Sequence, residues 1–224
     1  RQDETCLKTL NAVFQESHQD ICGIIVEPIQ SEGGDRYASD AFFRCVRTLA
    51  DEHHIPFVVD EVQTVLGTGK TFAHQHWDLE KPPDMVTFSK KTQAAGVFYQ
   101  ATFEPHHTDA YGFNSTWGGS VIAGEQLERI LNIVEDEKLL QKSSQVGEYL
   151  FSQLELISGV KNVRHRGSFG AFDVSDRDEV IRRLQTQGVL VGGCGTDSIR
   201  LRPPLILETT DVDVFLKTLD TSLS

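Results

Sequence analysis

The amino-acid sequence predicts an α/β fold, a domain built on a parallel sheet followed by a smaller α+β domain. Three features predict it. Short apolar runs at residues 22–26, 56–59 and 85–88 each end abruptly in polar residues, as buried parallel strands do. A helical pattern separates the first two runs, giving the strand–helix–strand order of a parallel sheet. After Trp117-Gly-Gly119 the periodicity lengthens to that of long helices and then alternates between strand and helix. The chain accordingly divides into residues 1–125 and residues 126–224.

Residues 5–14 place Leu7, Leu10, Ala12, Val13 and Phe14 at helical spacing. The run Cys22-Gly-Ile-Ile-Val26 follows as a strand, ending in Glu27-Pro28 and a loop. Asp40 is expected to cap a helix whose apolar face is Phe42, Phe43, Val46, Leu49 and Ala50. The strand at 56–59 runs directly into Asp60-Glu-Val-Gln63, and the strand at 85–88 into Ser89-Lys90-Lys91. Val121, Ile122, Leu127, Ile130, Leu131 and Val134 share one helical face, and Leu139, Leu140, Val146, Leu150 and Leu154 mark the next helix. Strands are expected near 163–166 and 170–174, then a helix begun by Ser175 and stopped at Gly188, with Val180, Ile181 and Leu184 inward. Strands at 189–191 and 199–202, and a helix from Thr209 or Thr210, complete the order.

Composition narrows the functional classes. The chain has 224 residues, 39% of them hydrophobic, enough to build a core for one large domain or one and a half smaller ones. No apolar run approaches the roughly 20 residues that cross a bilayer, and no signal-peptide pattern opens the chain. A soluble protein is expected, with no membrane partner. Arg1 at the first position fits a fragment or a processed product. A net charge of −12 opposes any broad nucleic-acid surface. Cys6, Cys22, Cys45 and Cys194 are scattered without a C-x-x-C pair, and Cys22 and Cys45 fall in apolar stretches, so reduced buried thiols are expected. His53-His54 and His106-His107 lack ligand spacing and read as surface or loop residues; no metal is expected.

In parallel sheets, ligands gather beyond the carboxyl ends of strands, and Glu27, Asp60 and Lys90 each fall at such an end. An aspartate and a lysine on neighbouring strands can reach opposite sides of one flat heterocycle. A lysine amine with a lowered pKa attacks an aldehyde carbon. A carboxylate against a pyridine nitrogen keeps that nitrogen protonated and makes the ring an electron sink. Spacing alone does not single out this chemistry, because many α/β proteins place the same residue types there for other reasons.

The flanking words do single it out. Val58-Val-Asp60-Glu-Val-Gln-Thr64 and Phe88-Ser-Lys90-Lys91 resemble the class III (ω-amino acid) aminotransferases, pyridoxal-phosphate enzymes of fold type I. Glu27-Pro-Ile-Gln-Ser-Glu-Gly-Gly34, Asn114-Ser-Thr-Trp-Gly-Gly119 and Ser198-Ile-Arg-Leu-Arg-Pro203 match the family in the same order across most of the chain. Glu27-Pro-Ile-Gln-Ser-Glu32 and Gly192-Gly-Cys-Gly195 are similar to the branch acting on 4-aminobutyrate. Lys91-Thr-Gln93 and Ser115-Thr-Trp-Gly-Gly119 are similar to the branch acting on the terminal amine of lysine; the first branch is preferred.

The resemblance implies a role at each matching position. Lys90 would bond the cofactor and shuttle the proton; Lys91 would point elsewhere. Asp60 would pair with the pyridine nitrogen, Gln63 would hydrogen-bond the phenolic oxygen, and Thr116 would bind the cofactor phosphate of a neighbouring subunit in a homodimer. Glu32 would pair with Arg202 in one half-reaction and release it in the next to grip an α-carboxylate in a bidentate fork. Arg200, two positions away on the same strand face, is the rival arginine, and Glu27 a lesser candidate. The substrates implied are a small amino acid and a 2-oxo acid. The compartment implied is the mitochondrial matrix in a eukaryote and otherwise the cytoplasm.

The chain departs from the family at one loop. Glycine usually follows Gln-Thr; here Val65-Leu66 follow, so the loop beneath the ring is expected to differ. The resemblance covers the latter part of the large domain and the carboxy-terminal domain. The phosphate loop, the stacking aromatic and the second arginine of the relatives have no match in the chain. A silent subunit that only assembles or interacts is therefore the alternative. Gly67-Thr-Gly-Lys-Thr71 suggests a phosphate-binding loop, but threonine stands at position 64 where that motif requires glycine.

Overall fold

The computed structural model describes residues 2–17, 20–104 and 115–223. The first half runs α1 (Gln2–Ser17), β1 (Ile24–Val26), β2 (Ile29–Gln30), β3 (Arg36–Tyr37), α2 (Asp40–Glu52), β4 (Phe57–Glu61), β5 (Met85–Phe88) and β6 (Gly96–Tyr99). The second runs α3 (Val121–Asp136), α4 (Leu139–Leu154), β7 (Lys161–Arg166), β8 (Phe169–Asp173), α5 (Arg177–Thr186), β9 (Gly192–Cys194), β10 (Ser198–Leu201) and α6 (Thr209–Leu223). The chain forms two compact units: Arg1–Pro28, Ala38–Val65 and His74–Asn132 make the first, and Ile29–Tyr37, Leu66–Ala73 and Ile133–Ser224 the second.

The first unit is a four-stranded sheet in the order β1-β4-β5-β6. β1, β4 and β5 are parallel, and β6 returns antiparallel to β5. Ser39 caps α2 by accepting from the Phe42 N–H at 3.1 Å. The helix buries Phe43, Val46, Leu49 and Ala50 together with Arg47. Arg47 reaches the buried Asp84 at 2.6 Å, and Asp84 also accepts the Phe57 N–H at 2.8 Å. One buried carboxylate thus ties the helix to the start of β4 and the entry to β5. Trp77 stacks on Phe43 with centroids 3.9 Å apart and closes the core on that side.

The second unit is a four-stranded antiparallel sheet in the order β7-β8-β10-β9, with the β2–β3 pair as a separate two-stranded ribbon. Its core gathers Leu150, Phe151 and Leu154 from α4, Phe172 from β8, Leu184 from α5, Ile199 from β10 and Leu219 from α6, all buried. α5 stops ahead of Gly188 and α6 starts at Thr209, as expected.

The α/β expectation holds, while several boundaries move. Ser39, not Asp40, caps α2; Asp40 is the first helical residue, where its charge suits the helix dipole. β4 continues through Asp60 and Glu61, beyond the expected end at 59. α5 begins at Arg177 rather than near Ser175. The strand expected at 189–191 forms at Gly192–Cys194, because pairing with β10 overrides the propensity of the valines. β2, β3 and β6 were not expected. The two-residue strands carry no periodicity to read, and β6 is exposed on both faces. A single division near residue 125 was expected, whereas the change of unit falls at 132–133 and the second unit also takes residues 29–37 and 66–73. Three of the four cysteines, Cys6, Cys22 and Cys45, are exposed; only Cys194 is buried. Cys22 precedes β1 and Cys45 sits on the outer face of α2, so apolar neighbours in sequence did not mean burial. No helix among the described residues is long and apolar enough to cross a membrane. His106 and His107 lie outside the described residues.

Candidate active site

Parallel pairing puts Asp60 opposite Thr87 on neighbouring strands, and Lys90 lies three residues beyond Thr87. Asp60 Oδ1 accepts from the Val62 N–H at 3.0 Å and from the Thr87 hydroxyl at 3.1 Å. Both donors bind the same oxygen, so they set the carboxylate's orientation. Strand alternation sends the next residue, Glu61, to the opposite face, where it is fully buried. It accepts from the Thr64 hydroxyl at 2.6 Å and from the His74 N–H at 2.8 Å. The His74 ring nitrogen Nδ1 lies 3.0 Å from the same carboxylate. These bonds pin the turn that carries Gln63, which is half-buried.

Lys90 opens a short 3₁₀ turn and has φ of 54°. A long side chain in the left-handed region is uncommon, and such strain concentrates at functional sites. Its carbonyl accepts from the Gln93 N–H at 2.9 Å and from Gln93 Nε2 at 3.0 Å, which holds the turn closed. Lys90 is exposed and Lys91 half-buried. Thr116 is exposed in a turn closed by the Gly118 N–H on the Ser115 carbonyl at 2.9 Å. Asn114, the first residue of that motif, lies outside the described residues. Glu27 is exposed just beyond β1.

In the second unit the ion pairing differs from the expectation. Glu32 bonds Arg200, not Arg202. Arg202 instead holds Asp35, with Nη1 to Oδ2 at 3.0 Å and Nη2 to Oδ1 at 2.5 Å, and its guanidinium lies 3.4 Å above the Phe169 ring. The Arg-Pro word favoured Arg202. Its position just past the end of β10 turns it onto the fully buried Asp35, while Arg200, within β10, meets Glu32.

Several residues here escaped the sequence reading. Asp35, Thr87, Glu61 and His74 look like ordinary loop or strand residues, and only tertiary contacts reveal their work. Tyr37, whose hydroxyl donates to the Phe169 carbonyl at 3.2 Å, is another. Burial, and then the Asp35 charge, push its phenol well above the usual range. The Gly-Lys-Thr segment is followed by a four-residue 3₁₀ turn at Ala73–His76 and no α-helix, so it lacks the helix N-terminus a nucleotide phosphate needs.

A model of the aminotransferase class-III family matches residues 1–223. The chain belongs to the class III aminotransferases. It is 38% identical over 99% of its length to a 4-aminobutyrate aminotransferase of Dictyostelium discoideum, and covers 46% of that protein. It is 39% identical over 96% of its length to the mitochondrial 4-aminobutyrate aminotransferase of Homo sapiens, covering 45% of it. Among solved structures, a lysine aminotransferase from M. tuberculosis superposes with a TM-score of 0.90 at 35% identity, over 99% of this chain and 53% of the other. This class III chain thus spans about half the length of the relatives it matches, and its fold is that of the type I aminotransferases.

Proposed function

We propose that the chain belongs to a pyridoxal-phosphate enzyme moving the terminal amino group of 4-aminobutyrate to 2-oxoglutarate, giving succinate semialdehyde and glutamate. The observation that carries the reading is the placement of Asp60 and Lys90 at the ends of adjacent parallel strands, with Asp60 oriented by Thr87 and Val62. The names of the relatives support the choice of 4-aminobutyrate over lysine.

The donor set suits the cofactor: a carboxylate for a ring nitrogen, an amide for a phenolic oxygen, an amine for an aldehyde and a hydroxyl for a phosphate. When bound, pyridoxal phosphate supplies an electron sink that stabilises negative charge at the substrate carbon. Asp60 would hold a proton on the ring nitrogen, and Gln63 would donate to the phenolic oxygen. Lys90 would hold the cofactor through its amine and move the proton at the substrate carbon. Thr116 would donate to the phosphate of a partner subunit in a homodimer.

Glu32 and Arg200 handle the two substrates in turn. The amine donor has no carboxylate on its reacting carbon, and Glu32 neutralises the arginine while it reacts. The 2-oxo acid has one, and Arg200, once released, grips it through two parallel N–H bonds. Arg202, engaged on Asp35, keeps a structural part in this scheme. The mitochondrial relatives support a matrix location in a eukaryote.

Borohydride reduction with pyridoxal phosphate present, followed by peptide mass mapping, tests the assignment. Label on Lys90 is expected; a chain that takes no label is a silent subunit. Comparing turnover of 4-aminobutyrate and lysine in the native protein tests the donor, and faster lysine turnover reverses the preference.

A further inference from the structure

We infer that the Gly192-Gly-Cys-Gly195 segment is a positioning element for the Glu32–Arg200 gate, seating Arg200 at one end and anchoring the main chain of Glu32 at the other. The inference rests on the gate reading above. At the first end, Gly192 pairs with Arg200 in the β9–β10 register. A Cβ at 192 would stand 2.9 Å from Arg200 Nε, so the absent side chain is the space in which the arginine lies. At the other end, the Gly195 N–H donates to the Glu32 carbonyl at 3.1 Å. Gly195 has φ of 54°, and a Cβ there would come within 2.9 Å of Gly34 Cα. Only glycine allows this approach without strain or displacement.

The segment is itself held. Arg177 Nη1 donates to the Gly195 carbonyl at 2.8 Å and to the Cys194 carbonyl at 3.4 Å. The chain after Glu32 is held as well. Arg164 donates to the Gly34 carbonyl at 2.6 Å and to the Asp35 carbonyl at 2.9 Å, and Arg202 grips the Asp35 side chain. The Glu32 side chain, by contrast, is 66% exposed. A clamped main chain beneath an exposed carboxylate lets the acid leave Arg200 by side-chain rotation and return to the same place.

The two ends predict opposite defects, which a merely structural role would not produce. In the native protein, single-turnover rates are measured separately for the 4-aminobutyrate and 2-oxoglutarate half-reactions, with cofactor content and melting temperature followed in parallel. Gly192→Ala crowds Arg200 and is expected to lower kcat/KM for 2-oxoglutarate about tenfold, through KM, with the amine half-reaction little changed. Gly195→Ala displaces Glu32 and is expected to lower the amine half-reaction about tenfold, sparing 2-oxoglutarate. Arg202→Lys keeps the charge but loses the fork, and is expected to act like Gly195→Ala in milder form should that variant not fold. Equal losses in both half-reactions for every variant, or none in either, would overturn the inference. If the unaltered protein binds cofactor at Lys90 but turns over neither substrate, the gate reading itself fails; if Lys90 takes no cofactor, the enzyme reading fails first.

Discussion

Arg202 closes on both oxygens of the Asp35 carboxylate, which is fully buried, and the same guanidinium rests on the Phe169 ring. The carboxylate is removed from water, while the Arg202 side chain keeps 21% of its surface exposed, so the acid depends on the pair more than the guanidinium does. Asp35→Ala leaves a guanidinium that still reaches water and the Gly170 and Leu201 carbonyls, so it should cost about 1–3 kcal/mol, less than the roughly 3–5 kcal/mol of a fully buried stranded charge. Urea unfolding should show the midpoint falling with the slope unchanged. A loss under 1 kcal/mol would mean that water reaches this pair.

Thr87→Val removes one of the two donors on Asp60 Oδ1 while keeping the side-chain shape. A hydrogen bond to a charged acceptor is worth about 1.5–3 kcal/mol, so cofactor affinity should fall roughly tenfold to a hundredfold. Thr87→Ser should restore most of it. Fluorescence titration with pyridoxal phosphate measures both.

Asp173 links three strands, accepting from Ser198 Oγ at 2.6 Å, Asn162 Nδ2 at 2.9 Å and Arg164 Nη1 at 2.9 Å. Partial burial raises its pKa, but the hydrogen bonds and the arginine charge outweigh that and hold it below the usual carboxylate range. A carboxyl depressed in the folded state contributes stability that is complete above the unfolded value, near 3.9, and lost as pH falls through the folded value. Melting temperature should drop more steeply below about pH 4 in the parent than in Asp173→Asn. Parallel curves would remove Asp173 from the acid transition.

Cys194 is the one shielded thiol: burial, and next the charge of Asp35, raise its pKa. Cys6, Cys22 and Cys45 are exposed. Maleimide labelling of the native protein should modify those three quickly and Cys194 only on unfolding. Peptide mapping against time reads the order.

Leu66 has φ of 61° and is almost fully buried, in the loop where the family usually carries glycine one position earlier. Leu66→Gly relieves left-handed strain of about 1–2 kcal/mol, but gives up about 1.5–3 kcal/mol of apolar burial and adds backbone entropy. Net destabilisation of about 1–2 kcal/mol is expected by calorimetry, and a stabilised variant would show that strain dominates the loop.

What could be read in the sequence was whatever repeats at a short period or stands in a fixed word. The apolar runs of β4 and β5 and the face of α4 carry their own signal and put Asp60 and Lys90 at strand ends, whereas the apolar face of α3 stays largely exposed, with only Val134 of it buried. What the sequence withheld was long-range pairing. Glu32 meets Arg200 across 168 positions, and a choice between two arginines, one within β10 and one just past its end, depends on the path of the chain, which no local pattern encodes. The four-residue glycine segment was visible as a word, yet its use emerged only where Gly192 faces Arg200 and Gly195 faces Glu32.

The clasp on Asp35 joins residues separated by 167 positions. On a ribosome adding about 5–20 residues per second, Asp35 emerges on the order of ten to thirty seconds before its guanidinium exists. Until then the Asp35 carboxylate lacks its two-pronged partner and keeps its water. The clasp can therefore close only after β10 has been made, and a chain stopped before that strand leaves Asp35 without the guanidinium that grips it.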